Sequence, residues 1–289
     1  MPDLLPGAEG FPRTAVLSPS VHRVLGLNPS AFTGPGTNTY LVGMHGPGPL
    51  LIDTGSGLDA YTALLRGYLR ETQAPPLTRI LLTHVHPDHI GGAGDVRGIF
   101  PNLPVHKFPW PGKDERYNVP LQAVRDGERF QGPGYTLRAV HTPGHARDHI
   151  CYYYEEERAL FTGDVILGVG TTVIPRDGGD LGDYLATLER LLALDLKRIY
   201  PGHGPVIEDG PAKVREYLAH RLERERQILH ELRHGPRTIM EMVAEIYREY
   251  PKHLHNAAGE SVLSHLDKLV KEGRVLNQGG APARYTLAA

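Results

Sequence analysis

"THVHPDH", residues Thr83 to His89, sets three histidines and an aspartate into seven positions, directly after the apolar tripeptide Ile80-Leu81-Leu82. Histidine is common here, with 16 in 289 residues. Even so, an H-x-H-x-D-H pattern arises by accident only about twice per thousand such chains, so chance is a poor account of it. The apolar tripeptide reads as a buried strand, and a strand is a rigid mount. His84 and His86, two residues apart at its end, project to the same side toward one ion. Asp88 and His89 follow in the next turn and face a second position.

Four other segments repeat the theme of an apolar run that ends in a ligand-type residue beside glycine. They are "LIDTG" with Asp53, "HTPGH" with His145, "LFTGD" with Asp164 and "YPGHG" with His203. Glycine permits the sharp turn and close backbone approach that aim a neighbouring side chain into a shared cleft. A lone Gly-His-Gly or Thr-Gly-Asp is a turn more often than a ligand, but five such segments in this order point to one centre. Imidazole and carboxylate without thiolate suit zinc, with manganese or iron as alternatives. Two ions held together would acidify a bridging water and clamp an electrophile.

Outward from these loops, the first two hundred residues alternate short apolar runs with helical stretches. "TNTYLVG" and "PLLIDTG" read as hairpin-linked strands, and Asp59 to Arg70 carries helical spacing at Leu64, Leu65, Tyr68 and Leu69. A helix is expected over about 92–100. A second half from near Asp126 holds the strands "YTLRAVHT" and "HICYYYE", the run "RALFTGD", a helix over 181–194 and "RIYPGHG". Strand–helix alternation in two similar halves predicts an α/β layered fold with ligand loops at the strand ends. The punctuation Glu208-Asp209-Gly210-Pro211 marks a boundary, giving a catalytic domain over 1–207 and a second domain over 208–289. The latter reads as helices over 212–233, 238–249 and 259–272, then two short strands around a Gly-rich turn, a winged-helix-like outline.

Composition narrows the class. The chain is 40% hydrophobic and 22% charged with net charge -2, ordinary for a globular protein. No run approaches the roughly 18 apolar residues of a membrane span. The opening "MPDLLPGAEGFPRTAV" has neither the apolar core of a secretory signal nor the Arg-rich look of a transit peptide. The one cysteine, Cys151, excludes an internal disulfide and suits a reducing compartment. A cytoplasmic protein is expected, not secreted, with the mitochondrial matrix as the alternative. Residues 1–210 carry 18 Lys+Arg against 23 Asp+Glu, and 211–289 carry 13 against 10; the differences, -5 and +3, sum to the -2 of the whole. A surplus of +3 is too weak to demand nucleic acid.

The ordered set Asp53, His84-x-His86-x-Asp88-His89, His145, Asp164 and His203 resembles the metallo-β-lactamase superfamily over about residues 14–208. The resemblance implies an αβ/βα sandwich and two zinc ions per chain, with Mn2+ or Fe2+ in their place as alternatives. It implies that His84, His86 and His145 hold the first ion, Asp88, His89 and His203 the second, and that Asp164 bridges them. Asp53 then orients a ligand from behind. "VLGLNPSAFTGPGTNTYLVG", "TPGHARDH", "GDVILGVGTTV" and "IYPGHGPVI" are similar to the β-lactamase-like protein 2 branch. That likeness implies a winged-helix-like C-terminal part and an endoribonuclease cutting single-stranded RNA through a metal-bridging hydroxide, with Asp88 orienting the nucleophile. Similar sequences among fungal polyketide thioesterases imply the alternative, hydrolysis of a small acyl-glutathione or acyl-carrier thioester. A third reading, of another class, is a non-catalytic winged-helix nucleic-acid-binding protein on a metal scaffold; the intact ligand set argues against it. The glutamate of the oxygen-reducing di-iron branch is replaced here by His86.

Further candidates stand around this set. His149 is either a supporting group behind the ligands or a satisfied histidine of the sheet. Asn38, Thr171 and Thr172 could donate hydrogen bonds to substrate. Trp110 with Lys107, Lys113 and Arg116 could form a stacking, phosphate-attracting lid. His141, His253 and His255 read as solvated or satisfied, and Tyr152 to Tyr154 as core by their alternation.

Overall fold

A computed structural model describes residues 10–288; the reading of the first nine residues as neither signal nor transit peptide lies outside them. In chain order the first half contains strands β1 (Thr14–Val16), β2 (Val21–Leu25), β3 (Asn38–Val42) and β4 (Leu50–Ile52), then helix α1 (Asp59–Glu71). Strand β5 (Ile80–Leu81), helices α2 (Pro87–Ile90) and α3 (Ala93–Ile99), and strands β6 (Val105–Lys107) and β7 (Leu121–Ala123) complete it. These strands form one seven-stranded sheet in sequence order. β1 to β4 are antiparallel neighbours, and β4 to β7 run parallel.

The second half contains β8 (Arg129–Gly132), β9 (Tyr135–His141), β10 (Ile150–Tyr154), β11 (Ala159–Gly163), helix α4 (Leu181–Leu192) and β12 (Arg198–Pro201). They form a five-stranded sheet in the order β12-β11-β10-β9-β8. Side-chain alternation then builds the layers. From β4, Leu50 and Ile52 enter the core between the sheets while Leu51 packs under α1 and α3. From β10, Tyr152 and Tyr154 face the same inter-sheet core while Cys151 and Tyr153 face α4. Each strand thus feeds two hydrophobic layers, which is why runs such as "LLI" and "CYYY" show no polar face. The result is the αβ/βα sandwich.

The C-terminal part holds α5 (Gly210–Leu232), β13 (Arg237–Thr238), α6 (Ile239–Ile246), α7 (His255–Lys271), β14 (Val275–Gly280) and β15 (Ala283–Leu287). β13, β15 and β14 make a three-stranded ribbon, and with the three helices they give the winged-helix outline. Two helix ends differ from expectation. α6 stops three residues early, at Ile246, after starting from a capping box between Thr238 and Glu241. α7 starts four residues early, at His255, directly after a 3-10 turn at Lys252–Leu254, where sequence offers no cap.

α5 begins just after the boundary placed at 207/208 and packs against both units. Its N-terminal half puts Val214 and Tyr217 into the core shared with α4, and its C-terminal half puts Ile228 and Leu232 into the core of the winged-helix unit. No helix among the described residues is long and apolar enough to cross a membrane.

Candidate metal centre

The site lies where the ends of both sheets meet. Backbone and side-chain bonds tie those ends together: Ile150 N donates to Thr83 O at 2.8 Å, Tyr152 Oη to Leu82 O at 2.9 Å, and Asn38 N to Gly202 O at 2.7 Å. Beyond β5 the chain bends at Thr83 and Val85, His86 is extended, and Pro87 opens α2 at its first position. Proline is pre-shaped for that place. The single turn it starts places Asp88 and His89 in a second ligand group, as the spacing predicts.

The seven residues converge as two groups that share Asp164. His84, His86, His145 and Asp164 offer one ligand atom each within 4.8 Å of one another, and so do Asp88, His89, Asp164 and His203. In the first group His86 Nδ1 lies 2.9 Å from His84 Nε2 and 3.0 Å from His145 Nε2, and His145 Nε2 is 3.6 Å from Asp164 Oδ2. In the second, His89 Nε2 is 3.3 Å from Asp88 Oδ2 and 3.2 Å from Asp164 Oδ1, while His203 Nε2 is 3.2 and 3.1 Å from the same oxygens.

These separations test the fit of a metal. Around a tetrahedral zinc with ligand bonds near 2.0–2.1 Å, donor atoms sit about 3.3 Å apart. Moreover, His89 Nε2 and Asp164 Oδ1 are fully buried and approach each other without the alignment of a hydrogen bond. Buried polar atoms are rarely left so. Atoms that converge on a shared point and satisfy no one else fit a cation between them, and an imidazole–carboxylate set suits zinc.

Outside the ligand atoms, the rings of His84, His89, His145 and His203 are held by their other nitrogen, as metal-binding imidazoles require. His89 Nδ1 is 2.7 Å from Asp53 Oδ2. Asp53 also accepts from Thr83 N and Thr83 Oγ1, both at 2.8 Å, and Thr83 Oγ1 lies 3.0 Å from His84 Nδ1. Asp53 reaches this position from φ +59°, a left-handed conformation that an aspartate tolerates better than most residues. His145 Nδ1 contacts Val173 O at 2.7 Å and Thr172 Oγ1 at 3.2 Å, and Thr37 Oγ1 donates to Asp88 Oδ2 at 3.3 Å. His149 is buried; its Nε2 accepts from Asp164 N at 3.1 Å and its Nδ1 pairs with Thr142 Oγ1 at 2.9 Å. It serves both readings, as a satisfied histidine that also holds the bridging candidate's backbone. The glycine of "TGD" is explained here, because a Cβ on Gly163 would lie 2.6 Å from His149 Nε2 and 2.8 Å from Thr83 Oγ1.

The two groups differ electrostatically. Burial pushes His84 well down and His145 down to about 4, so both are neutral imidazoles with free lone pairs at pH 7. At His203 burial opposes charge, yet Asp164 and Asp88 together outweigh it and lift the group to about 9; at His89 the carboxylates of Asp88, Asp164 and Asp53 likewise overcome burial. Asp88 and Asp164 are held well below the usual carboxylate range, because the nearby histidines outweigh burial. The second group therefore holds positive charge between its carboxylates, the arrangement a cation would take over.

Two expectations, Asn38 and the lid, are revised, while Thr171 and Thr172 both line the cleft. Asn38 is buried and spends its amide on Pro201 O at 2.9 Å and Gly204 O at 2.8 Å, so it fastens the His203 turn and does not face the cleft. Thr172 reaches His145, while Thr171 lies exposed in the cleft wall. The lid is instead a plug: Trp110 packs with Val85 and Ala146, and Lys107 is buried between Asp114 and Asp148, each 2.6 Å away. A lysine spent on two carboxylates attracts no phosphate. Sequence reasoning missed Thr83, Thr37 and the Val173 carbonyl, although Thr83 stands inside the opening motif. His141 is satisfied by Arg147 O and His255 sits near Tyr250 O, as expected of non-ligands.

The cleft above these residues encloses about 380 Å³. Phe32, Leu167, Val169, Val173 and Pro175 line it with His86, Asp88, His145, Asp164 and His203 at its floor, and among the described residues no lysine or arginine is in its walls.

The sequence profile of the metallo-beta-lactamase superfamily matches residues 32–203, and that of the beta-lactamase associated winged helix domain matches 238–284. The Beta-lactamase-like protein 2 homolog of Caenorhabditis elegans is 41% identical over 266 residues, covering 90% of this chain and 88% of that protein. The Lactamase-like protein vrtG of Penicillium aethiopicum is 42% identical over 275 residues, covering 92% and 86%. Among solved structures, the metallo-beta-lactamase family protein TTHA1429 from Thermus thermophilus superposes with TM-score 0.76 at 27% identity, covering 94% of this chain and all of that one. TTHA1623, solved in a di-iron-bound form, gives TM-score 0.52 at 30% identity over 64% of this chain and 96% of its own.

Proposed function

The chain belongs to the metallo-β-lactamase superfamily, a family of metal-dependent hydrolases, and on that premise we propose that it hydrolyses an acyl thioester at a two-zinc centre. One observation carries the choice of substrate: the cleft walls are mainly apolar and, among the described residues, include no lysine or arginine. Nucleic-acid binding draws its affinity mainly from lysine and arginine on phosphates, whereas an acyl chain needs the surface that Phe32, Leu167, Val169 and Val173 provide. The resemblance in sequence ranks RNA first; the cleft ranks the thioester first.

In this reading His84, His86 and His145 hold one ion, Asp88, His89 and His203 the other, and Asp164 reaches both. When bound, such ions acidify water and polarise the scissile carbonyl. The chain's own groups do the rest. Asp53, Thr83 and Val173 O fix the imidazoles, so no reorganisation is needed as charge develops. Asp88 Oδ2 is taken by His89, His203 and Thr37. Its Oδ1 remains to orient the attacking water and accept its proton. Water adds to the carbonyl carbon, the carbon–sulfur bond breaks, and the products are a carboxylate and a thiol. The second zinc is supported by the donor set; manganese or iron would use the same atoms.

A second reading, single-stranded RNA, is favoured by the adjoining winged-helix unit, where 211–289 carry 13 basic against 10 acidic residues. A panel assay separates the two. The zinc-loaded chain is offered an acyl-glutathione, an acyl-carrier thioester, single-stranded RNA, single-stranded DNA and a chromogenic β-lactam. Preferred turnover of a thioester is expected. RNA cleaved with higher kcat/KM than either thioester would reverse the order, and no turnover of any substrate by a chain carrying two ions would overturn both.

A further inference from the structure

Between the catalytic half and the winged-helix unit lies a second cavity, about 420 Å³ in volume. The segment Gly170–Val173 separates it from the metal cleft and lines both. Its far wall includes His220, Arg221, Arg224, Tyr247, Tyr250 and Leu254. Arg221 and Arg224 are only 4% and 7% exposed. Guanidinium groups that deep ordinarily sit against a carboxylate, because an uncompensated buried charge is costly.

Among the described residues neither has one. Arg221 donates to the backbone carbonyl of Thr172 and lies 5.4 Å from the centre of the Tyr184 ring. Arg224 donates to Gln227 Oε1 at 2.7 Å and stacks on Tyr247 at 3.9 Å. Neighbouring carboxylates on α5 are spent elsewhere: Glu223 pairs with Arg226, and Glu225 with Lys268 and Arg274. Glu260 stands exposed at the rim. His220 responds to the surplus, its pKa lowered by burial and then by the two arginines. The cavity therefore combines unbalanced positive charge with aromatic and aliphatic walls, in the size range of small-molecule sites.

We propose that this cavity binds an amphipathic organic anion. A phosphate or carboxylate group is taken by Arg221 and Arg224, and the apolar arm that carries it packs against Tyr247, Tyr250 and Leu254. The inference does not depend on which bond is hydrolysed in the metal cleft, since the two cavities share no ionisable side chain.

The test uses the zinc-loaded full chain, titrated calorimetrically with phenyl phosphate, with benzoate, and with benzyl alcohol as the uncharged probe. A crystal soaked in phenyl phosphate locates the probe. Density against the Arg224 guanidinium is expected, with affinity at least about tenfold weaker in Arg224→Gln, as loss of a charge-assisted contact implies. Benzyl alcohol should bind far more weakly than either anion. Phenyl phosphate above benzoate identifies a phosphate ester as the ligand class, and the reverse a carboxylate. Should Arg224→Gln fail to fold, Arg224→Lys and Tyr250→Ala carry the same expectation, the first keeping the charge without the fork and the second lying at the exposed mouth. Density at the metal cleft alone, or unchanged affinity in the folded variants, overturns the proposal.

Discussion

Asp53 shows how much of the candidate metal centre is held by residues outside the ligand set. Its carboxylate takes a ring proton from His89 and two donors from Thr83, and Thr83 in turn touches His84, so one side chain orients a ligand in each group. Asp53→Asn keeps the shape but offers N–H toward groups that already donate. Metal affinity should fall by about 10–100-fold, the usual effect of losing such a support, and zinc competition with a chromogenic chelator measures it. An unchanged affinity would mean that packing alone fixes His89. Asp88→Asn tests the residue facing substrate. With metal content verified, kcat/KM should drop by an amount equivalent to several kcal/mol, the scale of metal-assisted charge stabilisation, with the loss in kcat and not in KM. Equal loss through KM would make Asp88 a residue that organises substrate.

At the scale of elements, the hydrophobic runs and their terminal turns were legible in the sequence because the strands that carry the site are buried on both faces and lead into turns with glycine or proline. "LLI", "RALFTGD" and "RIYPGHG" could be read as mounts, and the residues they carry do meet. What could not be read was partnership across long separations. Asn38 and Trp110 look like substrate-facing residues in isolation; only the return of residues 201–204 to Asn38, and the packing of Trp110 with Val85 and Ala146, shows them committed to structure. Helix α7 poses the same problem at His265. There burial pushes the imidazole down to about 4, the lone contacts being Ser261 O at 2.7 Å and Arg221 O at 3.2 Å. The unfolded chain binds that proton near 6.5, so it takes up protons first as the pH falls. The stabilisation is complete above 6.5, declines on the way to 4 and is gone below it. Between pH 7 and pH 5 the loss is about 2 kcal/mol. His265→Gln should flatten the dependence of Tm on pH across that interval, and a variant with the original slope would refute the assignment.

For the molecule as a whole, α5 decides where the chain can be cut. Tyr217 Oη accepts from Leu167 N at 3.1 Å and donates to Gly170 O at 2.8 Å, and Arg221 holds Thr172 O beside His145. A chain ending after Gly235 keeps these contacts and should keep its metal affinity. One ending after Asp209 strips the cover from α4 and frees the 167–173 segment, so metal affinity and Tm should both fall. Metal analysis and melting curves of the two truncations check this; equal behaviour would show that α5 serves the winged-helix unit alone.

The ligand set joins the two sheets, and its outer members, His84 and His203, are 203 − 84 = 119 positions apart. A bound ion pair therefore acts as a cross-link closing a very long loop, in a chain whose single cysteine can form no internal disulfide. For a disulfide, closing a loop of that length removes denatured-state entropy worth about 4–5 kcal/mol. A coordination cross-link differs in being dosed by the free-ion concentration, gaining strength as its logarithm. Chelation should accordingly lower Tm by several degrees and speed unfolding, while a thiol reductant leaves both unchanged. A melt indifferent to zinc would show that the tether carries no load. Otherwise ion supply controls how long the folded chain persists as well as whether it turns over.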